Sequence, residues 1–267
     1  MKKLSIITIN YNNAVGLQRT IDSIVNQTFT DYEWIIVDGG STDGSKEILE
    51  KYKEHFAWWC SEPDKGVYNA MNKGIAHATG EYVNFMNSGD IFATSTILNE
   101  VFTADHDADI LVGVMAHGYI DGWQQNIPSI PPCLRWWELY QQGIGHQSEF
   151  AKRDLFKQRM FDESFRIAAD WDWNAYFIAA KRVKTEFIPL IISVYEDGGI
   201  SAKQKNIVAN EKDIIQQRYF ASLTEDDIID LKYVDVVKQY KVSRILYILL
   251  SRLSNRLLRY KKRDTIL

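Results

Sequence analysis

Small, polar and acidic residues gather wherever an apolar run stops. Leu4–Ile9, with Thr8 near its end, leads into Asn10, Tyr11 and Asn12. Glu33–Val37 leads into Asp38-Gly39-Gly40-Ser41-Thr42-Asp43-Gly44, and Phe56–Cys60 into Glu62-Pro63-Asp64-Lys65-Gly66. Glu81–Met86 leads into Asn87-Ser88-Gly89-Asp90. Any one of these segments reads equally well as a plain turn built from Gly and helix caps. Four in succession describe a ligand-binding rim. A rim rich in carboxylates repels phosphate unless a divalent cation intervenes. Asp90, on a tight Ser-Gly-Asp turn, has the character of a ligand for Mg²⁺ or Mn²⁺. Such hard cations take few protein carboxylates and complete their shell with phosphate oxygens and water. Asp38 is placed to accept hydrogen bonds from a base or ribose. No GxxxxGK[ST] loop is present, and no GxGxxG follows the first run. The chemistry indicated is that of a metal-bound nucleotide diphosphate.

The elements holding these residues alternate. Between the strand-like runs, Leu17, Ile21, Ile24 and Val25 keep helical spacing, as do Ile48, Leu49 and Tyr52. Val67, Ala70, Met71, Gly74, Ile75 and Ala78 form a third helical stripe, stopped at Gly80. Strand–helix repetition of this kind implies a parallel sheet with right-handed crossovers. Ligands in such sheets bind at the carboxyl ends of the strands, near the point where strand order reverses. Further along, Asp109–Met115, Tyr119–Gln125 and Phe187–Tyr195 are predicted strands. Pro128–Pro132 is a predicted loop, and Leu134–Tyr140 and Asp170–Lys181 are predicted helices. From about Lys203 the pattern is helical only.

Composition narrows the class. The chain has 267 residues, 46% apolar and 25% charged, the balance of a soluble globular protein rather than a disordered, collagenous or disulfide-stapled one. No apolar run is long enough to span a membrane, and Leu4–Ile9 is too short for a signal-peptide core. Cys60 and Cys133 are too few and too far apart for a zinc site, and suit buried thiols in a reducing compartment. A cytoplasmic protein is expected. The formal net charge of -4 argues against a nucleic-acid partner. That charge is uneven. Lys238–Leu267 holds nine Lys or Arg and one acid, Asp264, so it carries +8, leaving -12 on the residues before it. Within this tail Val242, Ile245, Leu246, Leu249, Leu250, Leu253 and Leu257 follow helical spacing, with arginines mainly on the other side. A basic amphipathic helix suits a membrane interface, and packing on the protein's own core or on a second subunit is the alternative.

Taken together, Leu4–Asn12 (LSIITINYN), Ile35–Gly44 (IIVDGGSTDG), Ser61–Gly74 (SEPDKGVYNAMNKG) and Thr79–Asp90 (TGEYVNFMNSGD) resemble glycosyltransferase family 2. The resemblance is dense over about the first 105 residues and returns at His146–Phe150, Ala169–Asp172 and Gly198–Ser201. It is similar in particular to the bacterial branch that builds capsule, O-antigen and exopolysaccharide units. The resemblance implies an α/β fold of GT-A type: a mostly parallel central sheet flanked by helices, here followed by C-terminal amphipathic helices. It implies a donor-binding half over residues 1–105 and an acceptor and catalytic-base half of the same domain over 106–202. A helical tail occupies 203–267. A UDP- or other nucleotide-sugar donor, a divalent cation (Mn²⁺ or Mg²⁺) and inversion at the anomeric carbon are implied as well.

Residue by residue, the resemblance places Thr8, Asn10 and Asp38 on the nucleoside rim, with Ser88 on the donor side. Asp64 and Lys65 fall near the uracil pocket. Asp90 matches the metal-binding acid of the DxD-like motif, and Asp170 matches the general base of the ED motif. Gly199 falls in a loop that the family places near the acceptor and the diphosphate. His146, beside a motif-like Gln147-Ser148, is a candidate for the same side, with a structural role as the alternative. Trp171 is a candidate to line the acceptor site, with core packing as the default. Three positions depart from the family pattern: Gly39, Gly89 and Ala169 stand where an acid is usual.

The expected acceptor is a hydroxyl of a glycan carried on a polyprenyl diphosphate. The tail would then hold the enzyme at the cytoplasmic face of the inner membrane, or serve a homodimer. Two other readings remain open. A nucleotidyltransferase would need a Gly-rich loop with Arg and Lys, which Thr8–Gly16 lacks. A non-catalytic sugar-nucleotide-binding subunit would suit the thinned acidic motifs.

Overall fold

The computed structural model describes residues 1–118, 139–140, 143–196 and 204–223. The features expected at Tyr119–Gln125, at Pro128–Pro132, over most of Leu134–Tyr140, at Gly199 and in the basic tail lie outside the described residues. The described residues up to Ala221 belong to one compact unit. A second unit, Arg135–Trp137 with Ser222–Leu267, lies almost wholly outside the described residues.

Strand and helix alternate through the first hundred residues: β1 (Leu4–Asn10), α1 (Ala14–Val25), β2 (Tyr32–Asp38), α2 (Ser45–Tyr52), β3 (Trp58–Ser61), α3 (Val67–His77) and β4 (Tyr82–Phe85). Then come β5 (Ile91–Phe92), α4 (Ile97–Phe102) and β6 (Ile110–Gly118). β7 (Glu149–Lys152), α5 (Arg153–Gln158), α6 (Ala169–Asn174), β8 (Thr185–Glu196) and α7 (Lys205–Phe220) complete the order. Every residue of β1 is buried, because the strand is central and covered on both faces. Helix α1 starts at Asn13, whose side chain accepts the Gly16 N–H at 3.1 Å, and it buries Leu17, Ile21 and Ile24.

The eight strands form one sheet in the order β3-β2-β1-β4-β7-β6-β8-β5. The half holding β3, β2, β1 and β4 is parallel, as expected. The other half is mixed: β7 runs antiparallel to both β4 and β6, and β5 antiparallel to β8, whereas β6 and β8 are parallel. Strand order reverses at β1, which pairs with both β2 and β4. The ends of β1, β2 and β4 therefore share one rim. β6 and β8 outrun their predicted ends and stay paired as far as Gly118 and Glu196, which carries Glu196 to the end of the ladder. The helix expected over Asp170–Lys181 begins as α6 but widens at Ala175–Ala180 into a π-type turn. Among the described residues, no helix is long and apolar enough to cross a membrane.

Thr8 departs from its expected place. Its side chain is fully buried within β1, and its hydroxyl accepts the indole N–H of Trp34 at 3.0 Å. It satisfies a core tryptophan and does not reach the rim. Thr8→Val keeps the shape but leaves that N–H unpaired. We expect a loss of about 1–3 kcal/mol in urea unfolding, with nucleotide affinity unchanged. A weakened nucleotide affinity in a fully folded variant would return Thr8 to the rim.

Candidate active site

The turn that ends β4 is tied to α1. Asp90 N–H donates to Asn87 O at 3.0 Å, and Gly89 at its centre has φ +107°, a conformation that suits glycine. Thr20 of α1 accepts the Gly89 N–H at 3.0 Å and donates to Asp90 O at 2.7 Å. Asn13 donates to Ser88 O at 3.0 Å. Ser88 is half-buried and beside the end of β1, where its N–H donates to Ile9 O. The donor-side position expected for it is thus on the rim.

Asp38 is fully buried and saturated. Its carboxylate accepts from Asn10 Nδ2 at 2.7 Å, from Ser61 Oγ at 2.7 Å, and from both the N–H and the hydroxyl of Ser41. Burial pushes its pKa up, but the bonds from Ser41, Ser61 and Asn10 outweigh that and hold it below the ordinary carboxylate value. A carboxylate offers about four acceptor positions. Asp38 and the buried Asn10 therefore shape the rim by joining β1, β2 and β3. The Asp38 carboxylate has no acceptor position left for a base.

The open acid nearby is Asp64. A side chain at Gly39 would begin 2.6 Å from Asp64 Oδ2 and 3.1 Å from the Tyr11 ring. Gly39 is thus small because the Asp64 carboxylate fills the space next to it. Asp64 is half-buried, and it also accepts the Gly66 N–H at 2.8 Å. Tyr11 presents an exposed ring, 66% accessible, at the same spot. Lys65 is exposed on the adjoining loop, its N–H donating to Asn69 Oδ1.

Asp90 is almost fully buried. Oδ2 accepts from Gln147 Nε2 at 2.8 Å, and Oδ1 accepts the Glu196 N–H at 3.2 Å. Burial pushes its carboxyl up to about 6, against the bond from Gln147. One residue from Gln147, the His146 Nδ1–H donates to Asp170 Oδ2 at 2.9 Å. His146 Nε2 lies 2.9 Å from the Asn87 amide. Burial disfavours the charged ring, but Asp170 outweighs it, so the His146 pKa lies above its ordinary value. Asp170 Oδ1 accepts from Tyr68 at 2.8 Å and from the Trp171 N–H at 2.9 Å. Burial, reinforced by Asp170, raises the Tyr68 hydroxyl well above its usual value, so it remains a donor. One short turn, Gly145–Ser148, thus grips both Asp90 and Asp170. Asn84 of β4, fully buried, fastens it by donating to the carbonyls of His146, Gln147 and Glu149 at 3.4, 3.1 and 2.9 Å.

The residues near Asp170 divide sharply. Asp172, two positions on, is buried beneath Arg159 at 2.6 Å, Arg218 at 3.0 Å and Tyr219 at 3.1 Å. It joins α6 to α7 and has no free face. Glu211 of α7 accepts the N–H groups of Arg166, Ile167 and Ala168, and so caps the chain entering α6. Trp171 is not an open platform for a sugar. It is 4% exposed, its indole donates to Leu139 O, and Gly143 presses on its ring. Core packing explains that tryptophan. Gly199 lies outside the described residues.

The rim suits a hard cation. Asp90 offers an oxygen ligand, and the space a side chain at Gly89 would enter holds Glu196 Oε2, 2.7 Å from where its Cβ would lie. Among the described residues no group of three or more His, Cys, Asp or Glu converges, so a cation here would draw most of its shell from phosphate and water. Sequence reasoning missed Asn84, Tyr68, Glu149 and Glu196. Only Asn84 left a local signal, a polar residue inside the buried run Tyr82–Met86.

The family model described as Glycosyl transferase family 2 matches residues 5–168. An uncharacterized glycosyltransferase of Mycobacterium tuberculosis is 35% identical over 174 residues, 64% of this chain and 66% of that protein. The chain thus spans just under two thirds of that relative. A PGL/p-HBAD biosynthesis glycosyltransferase of Mycobacterium tuberculosis is 30% identical over 208 residues, 74% of this chain and 78% of that protein. Among solved structures, S. aureus TarS in complex with UDP-GlcNAc matches with a TM-score of 0.63 at 19% identity, covering 91% of this chain and 74% of that one. The mannosyltransferase PcManGT of Pyrobaculum calidifontis, in complex with GDP-Man and Mn²⁺, matches with a TM-score of 0.58 at 18% identity, covering 99% and 82%. These likenesses show a shared GT-A fold.

Glu149 generates a test of the site's electrostatics. It is buried behind Asp170 and His146, and it accepts from Asn174 Nδ2 at 2.8 Å. Burial pushes its pKa from 4.5 up to about 7, with Asp170 adding to the push. Asn174 Oδ1 is buried with no partner, and a neutral Glu149 carries the O–H that such an acceptor lacks. A carboxyl raised by folding stabilises fully below its unfolded value, near 4.5, and that contribution is lost as pH rises through about 7. In metal-free urea unfolding, wild-type stability should fall over this window. Glu149→Gln should reduce the fall by on the order of 3 kcal/mol. Parallel pH profiles would contradict a neutral Glu149.

Proposed function

The chain belongs to glycosyl transferase family 2, and on that premise we propose that it is an inverting, cation-dependent glycosyltransferase. It transfers one sugar from a nucleotide sugar, a UDP-hexose in the first instance, to a hydroxyl of a growing glycan. The observation that carries this reading is the Gly145–Ser148 turn, where Gln147 holds Asp90 and His146 holds Asp170. A donor's diphosphate and an acceptor's hydroxyl need two carboxylates in a fixed relation, and this turn sets it.

In this account the nucleotide lies over the ends of β1, β2 and β4. The exposed Tyr11 ring offers the base a stacking surface, and Asp64, beside it, an acceptor. Asn10 and Asp38 keep the rim in shape. A divalent cation held by Asp90 would neutralise the charge gained by the leaving diphosphate. Asp170 takes the proton of the attacking hydroxyl as the new bond forms. Three of its roughly four acceptor positions are used by Tyr68, His146 and the Trp171 N–H, which leaves one for that hydroxyl. Its side chain is 17% exposed, so a substrate can reach it. Attack from the face opposite the nucleotide gives inversion.

Two features favour a lipid-linked acceptor in bacterial surface polysaccharide assembly. One relative carries PGL/p-HBAD biosynthesis in its name, and the +8 tail suits anionic lipid, at about 1 kcal/mol per basic residue near the surface. The enzyme would then be peripheral on the cytoplasmic face of the inner membrane. Residues 1–105 would serve the donor and 106–202 the acceptor, with 203–267 providing the attachment or, alternatively, a homodimer contact.

Asp170→Asn separates catalysis from binding. Transfer, followed as release of nucleoside diphosphate, should fall roughly 10²–10⁴-fold, while donor affinity by calorimetry changes little. Full activity in the variant would remove Asp170 from the mechanism. Nucleotide-sugar binding by a wild-type protein that never turns over would favour a non-catalytic binding subunit.

A further inference from the structure

We infer that Glu196 supplies the second carboxylate of the cation site whose first is Asp90, in place of the acid that position 89 lacks. The inference rests on the cation-dependent reading above and extends it to a residue far from the motif in sequence.

β8 stays paired with β6 as far as Gly118 opposite Glu196. It also pairs with β5, Ile91 opposite Val194, immediately after Asp90. The end of β8 is therefore anchored beside the Asn87–Asp90 turn from two directions. The Glu196 N–H donates to Asp90 Oδ1 at 3.2 Å, so the two residues are in direct contact.

Glu196 Oε2 lies 2.7 Å from where a Cβ on Gly89 would be, and Glu196 Cδ lies 3.8 Å from it. An acid at 89 would have to push this carboxylate aside. Glu196 thus brings a carboxylate to the space beside the motif glycine. Its other oxygen, Oε1, is held by Arg19 Nη2 at 2.5 Å. The arginine fixes the orientation and leaves Oε2 on the side of Gly89. Arg19 also sets the charge. Two adjacent carboxylates with one guanidinium leave a net single negative charge, which a divalent cation with its phosphate ligands can match.

The test uses the full-length protein and Mn²⁺ as the probe, with and without UDP. Free Mn²⁺ is read by its paramagnetic resonance signal, which is lost on binding. We expect Glu196→Gln to weaken Mn²⁺ binding by about ten-fold or more, and Asp90→Asn to do the same. Glu186→Gln, on the same strand but paired with His106, should bind as the wild type does. Should Glu196→Gln be less stable, the rise in its melting temperature on adding Mn²⁺, taken against its own metal-free value, gives the same comparison. Mn²⁺ affinity within about two-fold of wild type in Glu196→Gln, with Asp90→Asn impaired, would overturn the assignment of Glu196 and leave Asp90 as the ligand. A wild-type protein that binds no Mn²⁺ with or without UDP would overturn both.

Discussion

Asn84 donates to three backbone carbonyls, those of His146, Gln147 and Glu149, and the site depends on that grip. A short turn has little hydrophobic content of its own to hold it in place. Here it is fastened from below by the Asn84 amide and from the side by Ser148, whose hydroxyl donates to Val114 O at 2.9 Å and lies 2.6 Å from Ser193 Oγ. Because Asn84 is fully buried, its amide cannot exchange these carbonyls for water without unfolding. The turn in turn holds Asp90 through Gln147 and Asp170 through His146. Two carboxylates more than seventy positions apart in the chain are thereby made one unit, each held by a side chain of adjacent residues on a turn whose backbone is itself fastened.

The missing acids of the motifs are a matter of space as much as of sequence. At Gly39 the room next to the backbone holds the Asp64 carboxylate, and at Gly89 it holds that of Glu196. In both places a glycine faces an acid delivered by another loop or strand. A count of motif acids along the chain therefore understates the negative charge at the rim. A larger side chain at either glycine would have to displace the neighbouring carboxylate.

Much of the first half of the fold is legible in the sequence because its signals are local. Alternating apolar runs and helical stripes identify β1 to β4 and the helices between them, and the glycine-rich ends mark the rim. Asp90, Asp64 and Ser88 can be placed from position alone. What stays hidden is decided by partners distant in sequence. Thr8 belongs to the core because Trp34 needs an acceptor, and Trp171 because Leu139 and Gly143 cover it. The saturation of Asp38 depends on Ser41 and Ser61, and the insertion of β7 between β4 and β6 has no local signature. Glu149, Glu196 and Glu211 read as ordinary surface acids until the fold buries or aims them.

The central claim is that a single turn fixes a donor-side carboxylate and a base in one productive relation. The most direct measurement is a crystal structure of the protein with Mn²⁺ and whichever nucleotide sugar most raises its melting temperature. The account predicts the nucleotide over the ends of β1, β2 and β4, the diphosphate and cation at Asp90, and the anomeric carbon turned toward Asp170. A nucleotide bound away from that rim, or a sugar whose anomeric carbon faces away from Asp170, would contradict it.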